Sequence, residues 1–158
     1  MLREQERAIE WDCSSVLTRF YDFYDRWNDR AMVALFSPDG LWHRAGKKLM
    51  GRDAIMAELR LRPANQKVRH VLSNFLVDVV DGRHALLSCY LTVYRHEGCT
   101  PSESEVLIQA PSLFLRVTAG FEKTSDVWLI SNQVMRRDFL FPAKGGCYSD
   151  LERLRGGT

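Results

Sequence analysis

Four polar residues of this 158-residue chain have the types that move protons: Tyr24 and Asp25, adjacent and late in an amino-terminal helical stretch, then His70 and His96 in later strand-forming runs. An imidazole beside a carboxylate is the simplest protein device for proton transfer near neutral pH, because the unperturbed histidine pKa lies close to that pH. The four belong to no contiguous motif. Judged singly, His70 reads as a structural histidine and Asp25 as a solvated carboxylate, so any chemistry depends on the elements that would bring them together.

Those elements are legible from periodicity. Ile9, Cys13, Val16, Phe20, Tyr24 and Trp27 recur at three- and four-residue steps, which predicts a helix from Arg3 to about Trp27 with one buried face. Asp25 falls one turn after Tyr21, at the edge of that stripe. Asn28-Asp29 offers a cap for a short helix over 31–36, and Ser37-Pro38-Asp39-Gly40 reads as a turn before a strand over 41–45. Gly46-Lys47-Lys48 reads as another turn. A third helix is expected from Asp53 to Leu61, stopped by Arg62-Pro63 because proline disfavours helical geometry before it. Beyond Asn65 the pattern turns to strands over 68–80 and 83–96 around an Asp81-Gly82 hairpin signal, then over 105–118 and 126–136 across a turn near Thr124-Ser125. The tail from Arg137 carries a short helical pattern near 149–154. Helices first and strands afterwards predict one α+β domain over residues 1–158, with the helices on one face of a curved antiparallel sheet.

Alternation in the strand ending at His96 puts Ala85, Leu87, Cys89, Leu91 and Val93 on one face and Ser88, Tyr90, Thr92, Tyr94 and His96 on the other. The second face is polar without being charged, as a half-buried cavity lining or a tyrosine-rich interface would be. The apolar side is then either core or subunit interface, and alternation does not choose. Phe114 and Arg116 share a face of the next strand. Arg116 would hold a carboxylate, phenolate or enolate if that face looks inward, and is a solvated charge otherwise. Trp42, Phe75, Phe114 and Phe121 suit pocket walls and core equally.

Composition excludes several classes. The chain is 46% hydrophobic and 27% charged with a net charge of +2, which describes a globular protein rather than a disordered or nucleic-acid-coating one. Its short basic pairs, Lys47-Lys48 and Arg136-Arg137, make no groove-binding stripe. The charged amino terminus and the lack of a long apolar run point to a cytoplasmic protein without membrane contact. Cys13, Cys89, Cys99 and Cys147 form no Cys-x-x-Cys pair and are read as reduced, and two histidines 26 positions apart make a poor zinc set, so neither metal nor cofactor is expected.

Tyr24-Asp25, Leu35-Phe36-Ser37-Pro38, Arg69-His70, Tyr94-Arg95-His96 and Val127-Trp128 together resemble the SnoaL-like branch of the NTF2-like superfamily, particularly the scytalone dehydratases. The resemblance runs from about Glu10 to Arg136 and implies a cystatin-like cone whose helices and curved sheet enclose one pocket. It implies catalytic roles for Tyr24, Asp25, His70 and His96. Similarity to hexachlorocyclohexane dehydrochlorinase implies an Asp25 and His70 dyad with Trp42 in the pocket. The chain departs from the scytalone dehydratase pattern at Arg44, where that family has a further tyrosine, and at Phe114 and Arg116, where it has serine and asparagine. Scytalone itself is therefore a poor substrate candidate.

The implied chemistry is cofactor-free proton abstraction from a small cyclic or polyketide-like substrate. Asp25 would orient His70 as base, while His96 with Tyr24 and Tyr90 or Tyr94 would donate to the substrate oxygen or protonate a leaving hydroxyl. A lyase, in the form of a dehydratase, results; without a leaving group the same set gives an isomerase or cyclase. A noncatalytic ligand-binding module and a dioxygenase small-subunit-like protein are the other uses of such a fold. A homo-oligomer, dimer or trimer, is expected from the wide outer sheet face, with residues 137–158 placed to cover the pocket or that interface.

Overall fold

In the computed structural model, which describes residues 1–98 and 105–141, helix α1 (Arg3–Asp25) buries Ile9, Cys13, Leu17, Phe20, Tyr21 and Tyr24 along one stripe. It ends two residues earlier than its apolar periodicity suggests. Trp27 takes a left-handed φ of 59°. Around it Trp27 N donates to Tyr24 O at 3.2 Å and Asn28 N to Phe23 O at 2.9 Å, the paired bonds of a Schellman end. Glycine usually holds that position; here the Arg62 guanidinium packs 4.2 Å over the Trp27 ring. Asn28 Oδ1 then accepts from Ala31 N at 3.3 Å and caps α2 (Asp29–Ala34).

Six strands follow with one further helix among them: β1 (Phe36–Arg44), β2 (Lys47–Met50), α3 (Gly51–Leu59), β3 (Gln66–Val79), β4 (His84–Glu97), β5 (Leu113–Thr124) and β6 (Val127–Leu140). They form one sheet in the order β2-β1-β6-β5-β4-β3, antiparallel throughout except where β1 runs parallel to β6. Register shifts between Ser73 and Leu76, where Asn74 has a φ of 55°, and at two places in the β5–β6 pair bend the strands. The sheet therefore curls without closing, and α1 lies on its inner face.

The α+β order expected from the sequence is the order observed, with local corrections. Ser37-Pro38-Asp39-Gly40 is not a free turn but part of β1, where a register shift between Phe36 and Leu41 absorbs the proline. At Gly40 a Cβ would stand 2.9 Å from the Ile130 carbonyl oxygen, so only glycine permits this approach of β1 to β6. Lys47 and Lys48 leave the expected turn and pair as β2, because Ala45 and Gly46, with φ of 48° and 78°, make the two-residue hairpin. The Asp81-Gly82 connection is longer than two residues: Asp81 Oδ1 accepts from Arg83 N at 2.6 Å and His84 N at 2.8 Å. β5 starts at Leu113 rather than Glu105, and β6 continues to Leu140 past Arg136. The helix expected at 149–154 and the covering role given to the tail lie outside the described residues, as do Cys99 and Cys147.

The core decides which strand faces look inward. Ala85, Leu87, Cys89, Leu91 and Val93 of β4 are buried with Leu115, Val117, Ala119 and Phe121 of β5 and with α1. The alternate face, with Tyr90, Tyr94 and His96, is the outer one, which corrects the expectation that it lines a cavity. Burying five consecutive alternate apolar side chains outweighs sheltering a mixed polar set, and α1 needs an apolar floor.

Candidate active site

At one end of the curled sheet, the last turn of α1, the end of β1 and the start of β3 meet over β4, β5 and β6. A cavity of about 60 Å³ lies there, lined by Tyr21, Tyr24, Trp42, Arg44, His70, Leu91, Val93, Arg95, Leu113, Leu115 and Met135. Asp25, the last residue of α1, reaches His70 of β3 through both carboxylate oxygens. Oδ2 accepts from the His70 backbone N at 2.9 Å and Oδ1 meets ring Nδ1 at 2.6 Å. A carboxylate accepts only, so Nδ1 carries a proton, and in the neutral ring Nε2 is the nitrogen with the lone pair. Both side chains are nearly buried, at 12% and 9% exposure. The Asp25 position at a helix C-terminus is unfavourable for a carboxylate by about 0.3–1 kcal/mol, which the two hydrogen bonds offset.

Two tyrosines hold the imidazole. Tyr24 meets it edge-on and Tyr21 at a tilt, each with ring centroids 4.9 Å away. The Tyr24 hydroxyl oxygen accepts from Arg44 Nη2 at 2.7 Å, leaving its own proton free to point elsewhere. The Tyr21 oxygen accepts from Gln133 Nε2 at 2.9 Å, and its O–H donates to the Met135 sulfur, a weak acceptor, at 3.5 Å. Burial pushes the Tyr21 phenol well above its usual range, so it remains a proton donor at any physiological pH. Behind Tyr24, the buried Arg62 donates to the Tyr24 carbonyl at 3.1 Å, packs 4.2 Å over its ring and pairs with Asp29. That clamp fixes the last turn of α1, and with it Asp25.

The site residues expected from sequence therefore divide. Tyr24, Asp25, His70 and Trp42 converge. His96 does not: it pairs with Lys67 on β3, while His70 pairs with Val93, one residue out of phase, so the two histidines occupy opposite faces. Tyr94, opposite Arg69, and Tyr90 are on the outer face too. Phe114, opposite Thr92, and Arg116, opposite Tyr90, join them there. Tyr90, Phe114 and Phe139 make an outer aromatic row at 5.4 and 5.3 Å, and Arg116, 56% exposed, lies near Asp138. The cations that line the cavity are instead Arg95 and Arg44, the latter 5.0 Å over the Trp42 ring. Tyr21 and Arg44 are the two site residues missed as such. Tyr21 precedes Asp25 by one helical turn and Arg44 follows Trp42 by two strand positions, so each shares a face with an expected site residue.

The family model of the SnoaL-like domain matches residues 5–134. Among similar solved structures, an NTF2-like protein with a cystatin-like fold from Novosphingobium aromaticivorans is 19% identical, with a TM-score of 0.69 over 96% of this chain and 93% of that one. A candidate scytalone dehydratase from the same species is 15% identical, with a TM-score of 0.73 over 90% and 95%. A Catenulispora acidiphila protein in complex with S-DNPA is 18% identical, with a TM-score of 0.69 over 84% and 95%. At these identities the shared property is the cystatin-like, NTF2-like fold. Comparison with curated proteins finds no significant match.

Proposed function

Because this chain belongs to the SnoaL-like domain family, we propose that it is a cofactor-free lyase that removes a proton beside a carbonyl of a small molecule and expels a neighbouring hydroxyl. The observation that carries this reading is the double contact of Asp25 with His70 at the wall of a cavity lined also by two tyrosines and two arginines.

The roles follow from the donor inventory. His70 Nε2 takes the proton while Asp25 stabilises the imidazolium. The C–H electron pair moves into an enolate whose oxygen accepts from Tyr24 and Tyr21. The Arg44 bond to the Tyr24 oxygen strengthens the Tyr24 hydroxyl as a donor. As the enolate collapses to a carbonyl, a carbon–carbon double bond forms and the hydroxyl departs, taking the proton back from Nε2 and leaving as water. His70 thus serves both steps and no second histidine is needed. A substrate without a leaving group would accept the returned proton on another carbon, which is isomerisation by the same residues.

The cavity bounds the reacting group. About 60 Å³ is several times the roughly 10–15 Å³ that one water needs, room for a small reacting group such as a carbonyl with its neighbouring carbons. A second recess of about 140 Å³ shares Arg44 and Arg95 with it and is lined further by Glu58, Leu61, Arg62, Pro63, Gln66 and Glu97. The non-reacting part of the substrate would occupy that recess.

Deuterium exchange tests the base without knowledge of the leaving group. In D2O, the protein should catalyse exchange of the α-protons of small hydroxyketones, followed by proton NMR, and His70→Gln should not. Equal exchange by wild type and His70→Gln would sink the reading.

A further inference from the structure

Two buried donors at the His70 cavity have no acceptor among the described residues: Nη1 of Arg44 and Nε1 of Trp42. Their side chains are neighbours on the inner face of β1, with the guanidinium carbon 5.0 Å from the Trp42 ring. An unpaired buried donor is costly, and a charged one more so, which is why native structures leave few of them. Other groups nearby do not satisfy these two. Neither Asp25, whose oxygens bond His70, nor the Tyr24 oxygen, which accepts from Arg44 Nη2, is a partner of either donor.

The charge balance has the same sense. Among the described residues, two cationic side chains, Arg44 and Arg95, line the cavity and no carboxylate does. Arg44 has no carboxylate partner among the described residues, unlike Arg62, which pairs with Asp29. The acids of the adjoining recess are Glu58, already bonded to Lys47 at 2.8 Å, and Glu97. Water could fill the donors' hydrogen bonds, but it would leave a sheltered guanidinium without a counter-charge. A group with two acceptor oxygens and one negative charge meets both requirements.

We propose that Arg44 and Trp42 form a carboxylate subsite, so that the substrate is a small oxo- or hydroxy-acid, its carboxylate on Arg44 Nη1 and Trp42 Nε1 and its carbonyl toward Tyr21 and Tyr24. The subsite names the substrate class for the reaction assigned to His70. It rests on that assignment for the chemistry but not for the binding.

The test is therefore a binding experiment. The ¹⁵N-labelled protein is titrated with benzoylformate and with its neutral amide, benzoylformamide, while the Trp42 indole N–H resonance, identified by its loss in Trp42→Phe, is followed. Benzoylformate should shift it saturably and bind roughly tenfold or more tightly than the amide. Arg44→Gln should abolish that preference and Arg44→Lys should keep part of it. Trp42→Phe, which retains an aromatic ring and removes the N–H, should weaken acid binding and leave amide binding unchanged. His70→Gln should still bind the acid, so the subsite stands or falls separately from the base. Equal binding of acid and amide, absence of a shift at millimolar acid, a preference that survives Arg44→Gln, or one abolished instead by Arg95→Gln would each overturn the proposal. If Arg44→Gln does not fold, the Arg44→Lys and Trp42→Phe results decide.

Discussion

Asp25 grips His70 at two points, backbone N at 2.9 Å and ring Nδ1 at 2.6 Å, so one carboxylate at the end of α1 fixes both the position of an edge strand and the tautomer of its histidine. Asp25→Asn keeps the shape but offers an NH2 where one of the two acceptors stood. Activity is expected to fall by about 10²–10⁴, and stability by about 1–3 kcal/mol for the lost charge-assisted bonds. Deuterium exchange and urea denaturation measure the two effects. Unchanged exchange in a folded variant would remove Asp25 from the mechanism.

His96→Ala is expected to leave exchange within roughly twofold of wild type, because His96 lies half-buried on the outer sheet face, away from the cavity, where substitutions usually stay near ~0.5 kcal/mol. A large loss would mean that the outer face takes part in the chemistry, against the strand register.

Tyr21→Phe removes the hydroxyl that the proposed mechanism assigns as an enolate donor and leaves the Gln133 amide without its acceptor. A loss of about 10–100-fold in turnover is expected by comparison with removal of an oxyanion donor. Because the folded phenol titrates well above 10.0, wild-type activity should show no alkaline limb from this group below pH 10.

Arg62→Met breaks the pair with Asp29, the bond to the Tyr24 carbonyl and two ring contacts. A stability loss of about 3 kcal/mol is expected, read as a lowered urea midpoint at unchanged slope. Activity should fall with it, because the last turn of α1 carries Asp25.

Cys13 and Cys89 are buried, and desolvation raises both thiols from 9.0 to about 12. Neither should alkylate in the native protein at pH 8, whereas both should in denaturant; mass spectrometry after iodoacetamide decides. Since the folded state holds these protons more tightly, their contribution to stability is full below pH 9 and is lost as the pH rises toward 12. A native protein that grows more stable over that interval would contradict the sign.

The sequence by itself determined the order of the helices and the long strands, though not β2, and which residues lie on a common face, because both follow from local periods of 3.6 and 2. It also marked Asp25 and His70. It did not determine which face of β4 looks inward. Alternation is symmetric between faces, and the polar row of Tyr90, Tyr94 and His96 resembles a pocket lining as much as an outer surface. That choice is made by α1, whose stripe from Ile9 to Tyr24 requires the apolar face beneath it. Once Val93 faces in, His70 opposite it faces in and His96 faces out. The same packing carries Arg116 outward and Arg44 inward. One long-range contact surface therefore placed every side chain of the candidate site, and no local pattern in the chain contains that information.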